Sequence, residues 1–84
     1  MKNVYWNQDK NAQLKRLRNV TFEDLINSRL IGIEKHPTKA HHKLILFEYQ
    51  NHVWVVPYGK GDGFYFLKTA FPNRKSTKEY LGGV

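Results

Sequence analysis

The 84-residue chain has no cysteine, one methionine and three prolines, and its 7 acidic residues face 14 lysines and arginines. Each shortage removes a class of protein. Without cysteine there are no disulfides and no thiolate metal sites, so the fold must rest on packing. No apolar run comes near the roughly 20 residues that a membrane helix needs. The opening Met1-Lys2-Asn3-Val4-Tyr5-Trp6-Asn7 lacks the apolar stretch of a secretory signal, and a cytoplasmic protein is the expectation. No internal repeat or low-complexity segment is visible. The shortage of acids leaves a formal charge of +7. On so short a chain that favours a polyanion or an acidic protein as partner over a merely solvated surface.

Hydrophobic residues make up 40% of the chain and aromatics 14%, enough for one packed core in a single domain over residues 1–84. A chain of this size buries only about 60–65% of its unfolded surface. A partner that covered apolar area would therefore add stability.

Tyr5 and Trp6 read as a short strand. Asn7 caps a helix with Asp9 in its first turn, Ala12, Leu14 and Leu17 on a narrow apolar face and Lys10, Lys15, Arg16 and Arg18 on a basic one. Asn19 suits the left-handed residue that ends it. Thr21 to Asp24 forms a variant capping box, Val20 serves as a staple, and Phe22, Leu25 and Ile26 share one buried face of a second helix. From Leu30 the period changes to strand. Leu30–Glu34, Lys43–Tyr49, His52–Pro57 and Phe64–Phe71 are the predicted strands. They are separated by the His36–His42 loop, a Gln50-Asn51 turn and a Gly59–Gly63 turn. Pro72-Asn73 closes the last strand. A short helix from Ser76 to Leu81 opens with a capping box and stops at Gly82-Gly83. The order β-α-α-β-β-β-β-α predicts an α+β domain. Its core would be a four-stranded antiparallel sheet plus the short N-terminal strand, with two N-terminal helices on one face and a short C-terminal helix. The other sheet face is then open to a ligand.

Two stretches resemble the BrnT branch of the RelE-type toxins of type II toxin–antitoxin systems. The first is Tyr5-Trp6-Asn7-Gln8-Asp9-Lys10-Asn11, Leu14 and Asn19-Val20-Thr21-Phe22-Glu23-Asp24. It is similar to the family's aromatic-Trp start, basic helix and second-helix opening. The second is Phe71-Pro72-Asn73-Arg74-Lys75-Ser76-Thr77-Lys78-Glu79, similar to the family's Arg-Lys segment after the last strand. Together they cover roughly a third of the chain. Asn19 stands where the family has glycine, the middle from Ile31 to Gly63 follows it only in strand rhythm, and the last helix closes early. The resemblance implies a RelE/BrnT-like fold, cleavage of mRNA without a metal or other cofactor, and silencing by a cognate antitoxin protein.

Cleavage by internal attack needs a base for the 2′-hydroxyl, a cation for the phosphate and an acid for the leaving oxygen. Arg74 fits the family's Arg-Lys pair, and its guanidinium grips phosphate as a fork. Lys68 lies within an apolar strand and must point to water or to a ligand. His36 and His42 flank one loop and are the acid–base candidates. His41 and His52 rank below them. Close histidines also raise the possibility of a metal, yet no carboxylate stands at a recognised ligand spacing. Lys75, Lys78 and Lys43 would steer RNA, and Tyr58 and Tyr80 could stack on bases. Trp54 reads as packing. Gly59-Lys60-Gly61-Asp62-Gly63 lacks the ending of a phosphate loop. Two other classes stay open: a non-enzymatic basic RNA- or DNA-binding module, and a ParE-like toxin with a non-RNA target.

Overall fold

Side-chain oxygens set the first boundaries of the chain. Asn7 accepts the Lys10 N–H at 3.0 Å and starts α1 (Gln8–Arg18), just after strand β1 (Val4–Trp6). Asn19, with φ 58°, ends α1 in the left-handed region. Thr21 and Asp24 form a reciprocal capping box that opens α2 (Phe22–Ile26). Asn11 ties the two helices together, accepting the Phe22 N–H at 2.8 Å and donating to Glu23 at 2.9 Å. The chain continues through β2 (Arg29–Lys35), β3 (His42–Tyr49), β4 (His52–Gly61), β5 (Phe64–Leu67), β6 (Phe71–Pro72) and α3 (Arg74–Leu81). The computed structural model describes residues 3–39 and 42–82. His41 and Gly83 therefore lie outside the described residues. Gln50 and Asn51 both take positive φ, 51° and 65°, which gives the β3–β4 hairpin the twist its strands require.

The sheet corrects the antiparallel expectation. It is a mixed six-stranded sheet in the order β1-β5-β4-β3-β2, with β6 beside β4 and β1 running parallel to β5. With β1 at one edge and β2 at the other, α1 and α2 carry the chain across one whole face. Short-range pattern holds no information on such a partner.

The last strand is broken where one strand was expected. Lys68, Thr69 and Ala70 separate β5, paired with Tyr58–Gly61, from β6, paired with Trp54 and Val55. Pro57 is the physical cause. Its carbonyl accepts the Lys68 N–H at 2.8 Å, so its nitrogen faces the same side with no proton to give, and regular pairing stops there. Strand β4 in turn runs through the expected glycine turn and leaves only Asp62-Gly63 to reverse the chain, with Gly63 at φ 78°. Helix α3 begins at Arg74, two residues ahead of the predicted start, because Asn73 and not Ser76 is its cap, accepting the Ser76 N–H at 2.8 Å.

Strand alternation sorts the core onto two faces. Ile45, Phe47, Trp54, Val56, Tyr58 and Leu67 pack with Leu14, Val20, Phe22 and Leu25 under α1 and α2. Leu17, expected on the buried stripe of α1, is 66% exposed. Leu46, Val53 and Val55 form a smaller cluster on the opposite face, where Leu81 of α3 packs. That face is not bare, as the element order implied. The hydroxyl of buried Thr77 donates to Asn73 O at 2.7 Å and accepts the Val53 N–H at 2.9 Å, which fixes α3 against β4.

Candidate active site

The β2–β3 hairpin positions the histidines. The His36 N–H donates to the His42 carbonyl at 3.3 Å, and the two rings stand 6.2 Å apart, edge to face. His42 is the first residue of β3 and not part of the loop. Nδ1 of His36 accepts the N–H groups of Thr38 at 3.2 Å and Lys39 at 3.1 Å. The neutral ring therefore carries its proton on Nε2 and presents a donor outward.

Gly59 pairs with His42 across the β3–β4 ladder and with Phe66 across β4–β5. A Cβ built on Gly59 would lie 3.4 Å from Lys68 Cε and 3.9 Å from the His42 ring. The missing side chain thus leaves a floor on which Lys68 and His42 meet. Lys68 is exposed, with its ammonium 5.7 Å from the Phe66 ring centre, a geometry that favours the cation over the ring face. The break in the last strand, set by Pro57, makes Lys68 the residue at which the β4–β5 ladder ends.

Beside this floor runs a groove of about 440 Å³ between the sheet and α3, whose polar lining includes Glu34, His36, Lys75, Ser76 and Glu79. Tyr80 donates to Glu34 of that lining at 2.5 Å. That hydrogen bond is the main cause that raises the Tyr80 phenol above its ordinary value, with desolvation and the charges of Glu34 and Glu79 adding to it. Among the described residues, no three His, Cys, Asp or Glu side chains converge as a metal ion would require.

The sequence-predicted residues divide accordingly. His42 lies between His36, whose ring is 6.2 Å away, and Lys68 across Gly59, and His36 and Lys75 line the adjoining groove. Arg74 is exposed on the first turn of α3 outside that lining, and Lys78 shares its helix side at the i, i+4 spacing. Tyr80 is exposed, but its hydroxyl is committed to Glu34. Two assignments need correction. Tyr58 is 5% exposed and packs in the helix-side core against Tyr65, ring centres 5.5 Å apart, so it offers no face to a base; burial, then Tyr65, pushes its phenol up. Lys43 alternates with His42 and so points to the opposite face. His52 sits at the far end of β4, its Nδ1 3.0 Å from the Gln50 carbonyl. Glu34, Glu79 and Gly59 were missed. Glu34 was legible as the i−2 strand neighbour of His36 and Glu79 as the i+4 partner of Lys75, whereas Gly59 carried no signal beyond that of a turn.

The helix-side face carries a second concavity, of about 490 Å³, lined by Leu30, Ile33, Ile45, Tyr58 and Tyr65 among others. A register shift between Leu30 and Gly32 inserts Ile31 as a bulge. Leu30 and Ile33, three apart, consequently share one face, and they are 52% and 54% exposed.

No helix among the described residues is long and apolar enough to cross a membrane. No family model matches the chain, and no curated protein matches it. Among solved structures it is similar to the crystal structure of the Brucella abortus ribonuclease toxin BrnT, at 14% identity and a TM-score of 0.53, over 87% of this chain and 97% of that one. The likeness at that identity is one of fold: the chain has a BrnT-like α+β architecture built on a mixed sheet.

Proposed function

We propose that the chain is a toxin of a type II toxin–antitoxin system, of the RelE/ParE superfamily, that cleaves mRNA without a metal. The observation that carries this reading is that Lys68 and His42 flank Gly59, with the His36 ring 6.2 Å from that of His42, on a fold shared with a ribonuclease toxin. In the proposed reaction His42 takes the 2′-hydroxyl proton. The O2′–P bond forms, the P–O5′ bond breaks, and the leaving O5′ takes its proton from solvent water while accepting a hydrogen bond from His36 Nε2–H. The products are a 2′,3′-cyclic phosphate and a free 5′-hydroxyl. Lys68 offsets the charge that builds on the phosphoryl oxygens, with Arg74 and Lys75 at the rim. Lys78 on the outer side of α3 would add to the attraction for RNA.

The antitoxin side of the reading has its own support. Half-exposed Leu30 and Ile33 beside Ile45 and Tyr65 supply apolar anchors, and a charge of +7 draws an acidic partner. Such a partner would grip the helix-side concavity while an acidic segment covers Lys68 and the His36–His42 hairpin.

Purified chain incubated with single-stranded RNA in EDTA tests the enzyme. Cyclic-phosphate ends are expected from wild type and not from His42→Ala. Binding without cleavage would leave a non-enzymatic RNA-binding module instead. Co-expression with the product of the neighbouring gene tests the partner: it should co-purify with wild type and not with Leu30→Glu/Ile33→Glu.

A further inference from the structure

The +7 charge is not spread evenly. Lys10 and Arg16 of α1 and Lys68, just past β5, face one open groove of about 670 Å³, together with Asn7, Gln13 and a single carboxylate, Asp9. Lys10, Gln13 and Arg16 recur at i, i+3 and i+6, which keeps them along one side of the helix. Their span along the axis is about 9 Å. None of the three cations forms an ion pair among the described residues, where the one salt bridge joins Arg29 to Glu48. Three cations with side-chain amides between them match a run of phosphodiesters, since lysine and arginine take the charge and the amides donate to phosphate and sugar oxygens. Lys68 is the link to the chemistry, because the same side chain flanks Gly59 opposite His42.

We propose that the α1 groove is a binding track for the sugar-phosphate backbone of single-stranded RNA and that it feeds the strand past Lys68 into the His36–His42 site. The proposal deepens the ribonuclease reading and rests on it for the direction of the strand, but the groove can be tested without cleavage. The probe is a fluorescein-labelled 2′-O-methyl oligoribonucleotide, which cannot undergo internal attack. Its binding is followed by anisotropy from 50 to 200 mM salt. Lys10→Gln/Arg16→Gln removes two phosphate contacts and should flatten the slope of log K against log salt by about 1.4, at roughly 0.7 per contact on a single strand. The control, Lys15→Gln/Arg29→Gln, makes the same change in net charge away from the groove and should keep the wild-type slope. Urea unfolding midpoints are measured on both variants to show that they are folded. Equal loss in groove variant and control, or no loss in either, overturns the track. So does a wild-type chain that fails to bind the probe. The two readings fail separately. If wild type binds with the predicted slope difference but leaves unmodified RNA intact, the ribonuclease reading falls and the track stands. If wild type cleaves RNA and the groove variant binds and cleaves as well as it does, the track falls and the ribonuclease reading stands.

Discussion

On the helix-side face of the sheet, Ile45, Phe47, Trp54, Val56 and Leu67 meet Leu14, Val20, Phe22 and Leu25 in one continuous dry core. On the opposite face of the same strands only Leu46, Val53 and Val55 are buried, and beyond them lie His42, Gly59, Pro57 and a groove with two glutamates, a histidine and two lysines. The strands are shared, so backbone pairing cannot explain the difference. The first face is covered across its centre by two helices and stays open at the concavity beside Leu30 and Ile33. Among the described residues, the second is covered by the eight residues of α3 alone. Stability should therefore reside on the first face and reactivity on the second, and substitutions on each face can break that division.

The largest effect is expected at Phe22, fully buried and stacked near Trp6 with ring centres 5.7 Å apart. Phe22→Ala should cost about 3–5 kcal/mol, comparable with the whole stability of a small domain. Urea titration reads it, and a loss under about 1 kcal/mol would mean that the helix-side core does not hold the fold. Next, His36→Ala should lower RNA cleavage by about a hundredfold or more while changing the unfolding free energy from urea titration by less than about 1 kcal/mol. If stability and cleavage fell together, the division between faces would be lost. Thr77→Val sharpens the comparison on the sparse face. It leaves the buried Val53 N–H without the acceptor it has at 2.9 Å, and should cost about 1–3 kcal/mol by urea unfolding. A neutral result would place the anchoring of α3 elsewhere.

The smallest effect concerns Tyr80, whose phenol is raised above 10.0 chiefly by its hydrogen bond to Glu34. A group raised in the folded state stabilises below its unfolded pKa and loses that contribution as pH climbs through the folded one. The Tyr80–Glu34 contact should therefore persist across neutral pH and open only above about pH 10. Ultraviolet titration of wild type against Tyr80→Phe checks this. A tyrosine that ionises below the ordinary value and vanishes in the variant would contradict the contact.

Local chemistry made much of the fold legible. Asn7, Asn19 and the Thr21–Asp24 box fix helix ends through atoms within four residues of each other, and alternation over Lys43–Tyr49 and His52–Pro57 identifies the central hairpin. Hydrogen bonds that close over such short spans leave little for the rest of the chain to override. The strand break at Lys68 was hidden because its cause, Pro57, lies on the neighbouring strand. The parallel seat of β1 was hidden because its partner is some sixty residues away, Val4 opposite Tyr65. Tyr58 was misread because a tyrosine beside glycines fits a loop as well as a strand, and only register decides its face.

By itself, then, the sequence determined the α+β class, most element boundaries, the basic character and the histidine and lysine types from which a site could be built. Tertiary structure alone decided which of them meet. Neighbouring strands bring side chains within reach across large sequence separations, and the face each one takes depends on register, bulges and a proline on another strand. Those settings put His42 and Lys68 beside Gly59 with His36 next to His42, turned Lys43 and Tyr58 away, and drew Glu34 and Glu79 into a groove that composition and spacing had not marked.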